Sequence, residues 1–283
     1  MVVLVVGLKT DVVIRFFAQF LKGMRLKKPV IFIDQSEFGQ GVDLDRGGWV
    51  IEGVGRVWHQ DVTGVWNRLL SHEEEAYGSA TKKDMHIFCR FLMNSIYPCV
   101  LNRPENGLSN FSKPYQLRIV KAGCLKKPES ELTMEVAKKT KEVGRWVIKS
   151  ICGVRSIVKA ESEYRSQEMV GCEPVLRQER IVGDNIRVHV VGRDCFALRC
   201  YSQEVDYRYD KNVVKKMCIL PERVKQACRR ISQQLCLPFA GIDLIEKAGE
   251  YWLLEANPSP GYSYYERTDF AISNALLKYW GLR

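Results

Sequence analysis

The chain has 283 residues, of which 46% are hydrophobic and 27% are charged. This composition is typical of a globular protein of about two domains, and it excludes a disordered tail, a collagen-like chain and a small disulfide scaffold. Forty-three Lys and Arg residues against 33 Asp and Glu leave a formal net charge of +10. The excess favours anionic partners without choosing among nucleotides, nucleic acids, acidic peptides and membrane surfaces.

Hydropathy and cysteine spacing bear on where the protein works. No stretch of the sequence reaches the ~18 continuous apolar residues that a membrane helix needs. Apolar residues 2–6 are too few for a secretory signal and predict a buried strand instead. The ten cysteines are scattered singly, without a C-x-x-C pair, which indicates free thiols in a reducing compartment. We therefore expect a cytoplasmic protein with no membrane partner.

The first hundred residues alternate between strand and helix patterns. The apolar run 2–6, the helical spacing of 11–21 and the apolar run 30–33 predict a strand, a helix and a strand in that order. This order indicates a parallel, Rossmann-like α/β start, although the glycines of a dinucleotide fingerprint are missing. The patterns that follow predict a hairpin at 49–58, a strand at 62–68 and a helix at 81–96.

Turn-forming residues at 102–107 predict a domain boundary. Beyond it, the periodicity predicts helices at 113–122, 221–236 and 270–280 and a hairpin of strands 239–246 and 250–255. It also predicts a strand at 146–151 and consecutive strands at 176–181 and 186–191, with a turn at Asp184 and Asn185. We predict three parts: an N-terminal α/β domain (1–103), a central subdomain (104–181) and a C-terminal subdomain (182–283).

The clearest chemical signal lies in the last predicted hairpin. Asp243 and Glu255 fall on its two strands, and Asn257 follows Glu255 by two residues and therefore shares its face. Three oxygen-bearing side chains in a mostly apolar sheet suit Mg²⁺ bridged to nucleotide phosphates. The alternative is that both acids pair with basic side chains, but the attached Asn257-Pro-Ser-Pro-Gly261 favours the metal.

Five further segments accompany this group along the chain. They centre on Lys113, on Lys149, on residues 178–181, on residues 185–192 and on the triplet 206–208. Lys149 ends an apolar strand and Arg187 is an isolated charge among valines, so neither is typical of a surface cation. Together, and in this order, the segments resemble those of ATP-grasp carboxylate–amine ligases of the RimK-like branch. The resemblance covers residues 100–283 well and the first hundred residues loosely.

The resemblance implies an α/β (α+β) ATP-grasp fold, in which an N-terminal Rossmann-like domain is followed by two α+β subdomains that clasp ATP. It implies that Arg187 and Arg208 are catalytic and that Asp243, Glu255 and Asn257 bind Mg²⁺, with Mn²⁺ as an alternative. The implied ATP-binding residues are Lys113, Lys149, Gln178, Glu179, Arg180, Ile181, Asp184, Asn185 and Arg208.

The implied reaction is the ATP-dependent joining of a carboxylate to an amine. The carboxylate attacks the γ-phosphate of ATP to give an acyl phosphate, and the amine then displaces phosphate to leave an amide. The expected partners are ATP, a carboxylate-bearing amino acid or peptide and an amine acceptor, and a homodimer is left open. A nucleic-acid partner is disfavoured because the aromatic pattern of a recognition module is absent.

Some features depart from the family pattern. Asn185 stands where aspartate is common, and the glycine-rich loop expected after Lys149 is reduced to a segment with Gly153 alone. That short loop and the run Val65-Trp66-Asn67-Arg68 resemble the graspetide (microviridin-type) ligases, which modify side chains of ribosomal peptides, whereas Asn257-Pro-Ser-Pro-Gly is not the form typical there. A graspetide-type ligase and a catalytically silent nucleotide-binding scaffold are therefore kept as alternatives.

The acidic substrate has two candidate contacts. Arg68 ends a strand of the predicted N-terminal sheet, and parallel α/β sheets bind ligands beyond their strand ends. Tyr262 follows the metal-binding group closely and is a candidate wall of the same cleft. The alternative is that Arg68 pairs with a glutamate at 73–75.

Overall fold

The computed structural model describes residues 1–70, 80–134, 144–151, 158–161, 174–202, 204 and 206–283. Within this part the chain forms two compact units. The first comprises residues 1–107, 237–239 and 259–283, and the second comprises residues 108–236 and 240–258. The division into three parts, with boundaries at 103/104 and 181/182, stays a prediction.

The strands and helices are numbered in chain order. The strands are β1 (Val2–Gly7), β2 (Val30–Asp34), β3 (Val42–Leu44), β4 (Gly48–Ile51), β5 (Gly55–Trp58), β6 (Val62–Arg68), β7 (Val100–Leu101), β8 (Ser130–Thr133), β9 (Trp146–Ser150), β10 (Val158–Ala160), β11 (Val175–Glu179), β12 (Asp184–Val191), β13 (Asp194–Tyr201), β14 (Val214–Met217), β15 (Phe239–Lys247) and β16 (Glu250–Asn257). The α-helices are α1 (Val12–Leu21), α2 (Ala80–Phe91), α3 (Lys113–Ile119), α4 (Glu222–Gln234) and α5 (Ala271–Tyr279).

The first unit is built on a parallel sheet with strand order β2-β1-β6-β7. Strand β1 is buried along its whole length, as expected of a central strand covered on both faces. Helix α1 starts at Asp11, whose Oδ1 accepts a hydrogen bond from the backbone N–H of Val13 at 2.7 Å and so caps the helix. In the sheet register Gly7 pairs with both Asp34 and Arg68, which brings Arg68 to the carboxyl edge. The predicted parallel α/β start is confirmed.

The remaining elements of the first unit agree with the predictions in element type more than in their extent. The predicted hairpin at 49–58 is confirmed as β4 and β5, which a short strand, β3, extends to a three-stranded antiparallel sheet. The predicted helix at 81–96 is an α-helix only as far as Phe91 and continues as a π-helix over Leu92–Ile96. Helical periodicity of apolar residues does not distinguish the two helix types over a single turn.

The second unit contains two further sheets. One has the strand order β10-β9-β11-β8 and the other has the order β14-β13-β12-β15-β16. The predicted hairpin of β15 and β16 is confirmed, and it pairs Asp243 with Glu255 and Leu244 with Leu253. Strand β16 therefore carries one extra residue, Leu254, which forms a bulge.

The expected turn at Asp184 and Asn185 is wrong. Both residues belong to β12, which follows β11 directly in the chain, as predicted, but lies in a different sheet. Strand β12 pairs with β13, which the sequence analysis missed, and the guanidinium of Arg199 on β13 binds the carboxylate of Asp184. Asp184, although of a residue type that favours turns, thus lies in a strand and pairs with a basic residue of the neighbouring strand. The local sequence does not reveal this ion pair.

The helices of the second unit and the C-terminal helix were predicted correctly, with ends shifted by one to three residues. In the described part of the chain, no helix combines the length and the apolar character that crossing a membrane requires. Each cysteine that the structure describes is a free thiol, as the scattered spacing predicted.

The chain between β11 and β12 leaves no room for a side chain at Gly183. A Cβ added there would lie 2.3 Å from the carbonyl oxygen of Glu246 and 2.9 Å from Cγ2 of Ile245 on β15. Gly183→Ala should therefore force the backbone apart and lower the free energy of unfolding by about 1–3 kcal/mol. Denaturant unfolding measures this change. Gly261→Ala is the control, because its nearest neighbour would be 3.9 Å away, and equal losses in the two variants would contradict the prediction.

Candidate functional site

A cavity of about 240 Å³ lies in the second unit, lined by strands of both its sheets. Its apolar lining consists of Val147, Val158, Ile181, Val182, Ile245 and Leu254. Its charged or amide-bearing side chains are Lys149, Gln178, Glu179, Arg180, Asn185, Glu204, Asp206, Arg208, Asp243 and Glu255. An apolar pocket joined to converging charges suits a ligand that has an apolar part and a strongly charged part.

Lys149 is a buried cation at the wall of this cavity. It lies on β9 with 8% of its surface exposed, and its Nζ donates a hydrogen bond to Oε1 of Gln178 on β11 at 2.7 Å. Burial lowers the pKa of Lys149, and the positive charges of Lys113 and Arg208 lower it further, against the opposing effect of Glu255 and Asp206. An ammonium held under these conditions gains from any anion that enters the cavity.

Lys113 begins helix α3 close to Lys149. Its Nζ donates to the backbone oxygen of Ser150 at 3.2 Å and to Oγ of Ser150 at 3.3 Å. Gln116, one turn further along α3, binds the backbone of Ala256 on β16 through both ends of its amide, at 2.7 and 2.8 Å. This pair of hydrogen bonds fixes α3 against the strand that carries Glu255 and Asn257. Lys113 is not among the residues that line the cavity.

Asp243 is a buried carboxylate with two partners. Its Oδ2 accepts a hydrogen bond from Nη1 of Arg187 at 2.8 Å, and its Oδ1 accepts one from the hydroxyl of Tyr207 at 3.0 Å. Burial raises the pKa of Asp243, but the charges of Arg187 and Arg208 and these two hydrogen bonds together lower it below the ordinary value. Asp243 is therefore ionised at neutral pH, as a metal ligand must be.

Arg208 links two acidic groups. Its Nε and Nη2 bind the carboxylate of Asp206 at 2.6–3.1 Å, and its Nη1 lies 3.6 Å from Oε1 of Glu255. Asp206 also accepts the backbone N–H of Arg208 at 3.1 Å, which fixes the turn that carries both residues. The guanidinium therefore lines the cavity from a capped turn and lies close to the carboxylate-bearing hairpin.

The three predicted metal ligands suit Mg²⁺ in their chemistry. Asp243 and Glu255 are paired residues of β15 and β16, and the bulge at Leu254 lets both of them line the cavity. Asn257 is two residues from Glu255 and pairs with Gly241. Among the described residues, no three His, Cys, Asp or Glu side chains gather as a metal site, so an ion here depends on two carboxylates and an amide oxygen. Hard oxygen donors of this kind fit Mg²⁺ or Mn²⁺.

The stretch from Gln178 to Asn185 runs along the cavity. Gln178, Glu179, Arg180, Ile181 and Asn185 line it, and the backbone N–H groups of Glu179 and Arg180 donate to Glu129 and Arg145. Asp184 lies outside this cavity and lines a neighbouring one of about 480 Å³. The short loop expected to cover phosphates falls largely on residues 152–157, which lie outside the described residues.

Arg68 and Tyr262 both belong to the first unit. Only 8% of the Arg68 side chain is exposed, its Nε donates to Oδ2 of Asp11 at 2.6 Å, and its Nη1 is buried without a hydrogen-bond partner in the described structure. Tyr262 is fully buried, and its hydroxyl lies 3.1 Å from Oγ of Ser273. The alternative partners of Arg68, at 73–75, lie outside the described residues.

Sequence reasoning missed the contribution of Tyr207 and of the residues that follow β13. Ser202, Glu204 and Tyr207 line the cavity beside the predicted residues. The triplet 206–208 marked the segment, but only the arginine and the aspartate in it carried a chemical signal. No local pattern indicates that the hydroxyl of Tyr207 reaches a carboxylate 36 residues away.

Comparison with known proteins identifies the family. Residues 115–262, more than half of the chain, match the family model of the ATP-grasp domain. The chain therefore belongs to the ATP-grasp domain family, which confirms the resemblance found in the sequence. No curated protein matches the sequence.

Solved structures agree in fold over nearly the whole chain. The macrocyclase MdnC of Microcystis aeruginosa MRC, bound with the precursor peptide MdnA, is 21% identical, with 98% of each chain covered and a TM-score of 0.76. The ATP-grasp ligase PsnB, complexed with a phosphomimetic variant of a minimal precursor, Mg and ADP, is 22% identical, with 98% of each chain covered and a TM-score of 0.73. A RiPP-associated ATP-grasp ligase of Chryseobacterium gregarium, in complex with ADP and a leader and core peptide, is 19% identical, covers 97% of this chain and 95% of its own, and has a TM-score of 0.71. These likenesses confirm the predicted ATP-grasp fold, whereas the RimK-like branch and the roles of individual residues stay predictions.

Lys149→Met tests the predicted contact between Lys149 and a nucleotide phosphate. Because a charge-assisted hydrogen bond to phosphate contributes about 1.5–3 kcal/mol, the variant should lower the affinity for ADP about tenfold or more. Lys247→Met, at the exposed end of β15, is the matched control and should bind ADP like the parent. Calorimetric titration measures both affinities. Equal dissociation constants for the two variants would show that Lys149 does not bind phosphate.

Proposed function

We propose that the protein is an ATP-dependent, ADP-forming ligase that activates a carboxylate as an acyl phosphate and joins it to an amine. The observation that carries this proposal is the cavity in which Lys149 and Arg208 meet Asp243 and Glu255, with an apolar wall alongside. Cations from separate segments of the chain suit a polyphosphate, and the apolar wall suits a base. Membership of the ATP-grasp domain family supports the same reaction class.

The proposed reaction has two steps. A carboxylate oxygen of the substrate attacks the γ-phosphorus of ATP, the bond to the β,γ-bridging oxygen breaks, and ADP leaves. The amine then attacks the acyl carbon, phosphate leaves with the bonding electrons, and the amine loses a proton to solvent. No side-chain nucleophile is required, so the protein contributes mainly by positioning the reactants and offsetting charge.

The cationic residues divide this work. Lys149 and Lys113 would bind phosphate oxygens from β9 and α3, and Arg208 would direct its Nη1 group at the transferred phosphoryl group while Nε and Nη2 hold Asp206. Arg187 would act at the same place while it neutralises Asp243, 2.8 Å away. Gln178, Glu179, Arg180, Ile181 and Asn185 would surround the base end of the nucleotide, and Asp184 would contribute from outside the cavity.

Asp243, Glu255 and Asn257 would hold the divalent ion, Mg²⁺ or Mn²⁺. When bound, the ion neutralises phosphate oxygens and so lowers the cost of bringing a carboxylate towards them. In this role Glu255 would exchange its 3.6 Å contact with Arg208 for the ion. The Nη1 group of Arg208 would then be available to the nucleotide.

We further propose that the carboxylate belongs to a peptide, as in the graspetide-type alternative. The solved structures MdnC, PsnB and the Chryseobacterium gregarium ligase are described with precursor peptides, and their likeness extends beyond the family match to the first hundred residues. The run Val65-Trp66-Asn67-Arg68 supports the same substrate class. The acceptor would be a lysine amine or, in that alternative, a side-chain hydroxyl. Free thiols support a cytoplasmic location.

An ADP-release assay with hydroxylamine tests the reaction class independently of the acceptor. Hydroxylamine intercepts an acyl phosphate and converts the activated acid to a hydroxamate. Free glutamate and aspartate are compared with peptides that carry these residues beside lysine, serine or threonine, and mass spectrometry detects hydroxamates and the loss of water on ring closure. ADP release without any acyl transfer would favour a different reaction, and nucleotide binding without ADP release would favour the silent scaffold.

Glu255→Gln tests the metal-binding carboxylates. The substitution keeps the shape and removes the charge, so the fold should persist while ADP formation falls by about 10²–10³-fold, as when one group that stabilises transition-state charge is lost. Glu250→Gln is the matched control on the same strand, since Glu250 pairs with an exposed lysine, Lys126, at 2.6 Å. Substrate-dependent ADP formation is measured over a range of Mg²⁺ concentrations. Parental activity in Glu255→Gln would show that Glu255 is not a ligand of the divalent ion.

Arg68→Ala tests the proposed substrate contact. Because a charge-assisted pair with a carboxylate contributes about 1.5–3 kcal/mol when desolvated, the apparent KM for the acidic substrate should rise about tenfold or more. The KM for ATP should stay nearly constant. Arg90→Ala, which removes an arginine paired with Glu105, is the control. Steady-state kinetics with each substrate varied in turn measures both KM values. A change confined to the KM for ATP would show that Arg68 does not bind the acidic substrate.

A further inference from the structure

Tyr207 lines the cavity but has no role in the two proposed reaction steps. It is 6% exposed, lines the cavity and belongs to a single 3-10 turn over Tyr207–Tyr209. Asp206 caps this turn by accepting the backbone N–H of Arg208 at 3.1 Å, and its carboxylate is held in place by the Arg208 guanidinium. The aromatic ring is therefore carried on a fixed piece of backbone rather than on a free loop.

The hydroxyl of Tyr207 donates to Oδ1 of Asp243 at 3.0 Å. The other oxygen of the same carboxylate, Oδ2, accepts from Arg187 at 2.8 Å. Asp243 is thus held from both sides, by a neutral donor on one oxygen and by a cation on the other. These two partners lie on β12 and beyond β13, so the orientation of the carboxylate does not depend on β15 alone.

The two partners have different consequences for a cation. A guanidinium that neutralises a carboxylate also repels an approaching divalent ion, whereas a phenol fixes the carboxylate without adding positive charge. A carboxylate oxygen has two lone pairs, so Oδ1 can accept the phenol hydrogen and still have a lone pair available. Groups that orient a metal-binding side chain in this way commonly change metal affinity 10- to 100-fold when they are removed.

We propose that Tyr207 is a positioning residue for the divalent ion: its hydroxyl orients the carboxylate of Asp243 and so raises the affinity of the site for Mg²⁺ or Mn²⁺. This inference rests on the proposed function, because it takes Asp243 to be a metal ligand. It adds a residue that would act through Asp243 rather than as a ligand of the ion.

Tyr207→Phe removes the hydroxyl and keeps the buried ring. The measured quantity is the ratio of the ADP dissociation constant without Mg²⁺ to that at one fixed Mg²⁺ concentration, obtained by calorimetric titration of the full chain. This concentration is well above the one that half-saturates the parental ADP complex and below the one that half-saturates the free protein. General damage to the cavity changes both constants together and leaves their ratio constant, whereas loss of metal affinity lowers the ratio. At that fixed Mg²⁺ concentration we expect the ratio to fall about tenfold in Tyr207→Phe.

Two further variants serve as the negative and the positive control. Tyr115→Phe removes a hydroxyl from a ring that is 55% exposed and should keep the parental ratio. Asp243→Asn should bring the ratio close to one. An unchanged or increased ratio in Tyr207→Phe, with Asp243→Asn near one, would overturn the role of Tyr207 alone. A parental ratio already near one would instead overturn Asp243 as a metal ligand, and with it the metal part of the proposed function.

Discussion

The buried carboxylate of Asp243 is the constraint on which the arrangement of the second unit depends. An ionised carboxylate inside a sheet costs several kcal/mol unless other groups compensate it. Strand β12 lies next to β15 and supplies Arg187 at 2.8 Å, and the turn after β13 supplies Tyr207 at 3.0 Å. Cations that stabilise this carboxylate in the free protein are also those that an anionic ligand requires. The same charges therefore serve the fold and the cavity.

Lys149, in contrast to Asp243, is a buried charge whose desolvation is only partly compensated. Burial and the neighbouring charges of Lys113 and Arg208 lower its pKa, so the folded protein holds the protonated side chain at a cost. The hydrogen bond to Gln178 at 2.7 Å offsets only part of that cost. A strongly desolvated cation in a cavity is typical of functional sites, because a bound anion relieves the penalty. The stability lost at Lys149 is thus available as affinity for an anion that enters the cavity.

Local patterns predicted the elements that have a strong periodicity. The buried strand β1, the helices α1 and α4 and the hairpin of β15 and β16 all follow from their apolar spacing. Strand β13 was missed, and the relation of β11 to β12 was misjudged, because both depend on which strand lies alongside. The ion pair between Arg199 and Asp184, on strands that are adjacent in the chain, leaves no local signature in the sequence.

The sequence by itself determined the family and the chemical types at the site, because charged residues within apolar strands are costly and therefore conspicuous. Asp243, Glu255 and Lys149 are such residues. Tertiary structure alone decided which charges meet. It brought Arg187 and Tyr207 to opposite oxygens of Asp243 and, through the bulge at Leu254, turned Glu255 into the cavity. The physical reason is that ion pairs and hydrogen bonds act over a few ångströms, and only the folded backbone brings distant residues within that range.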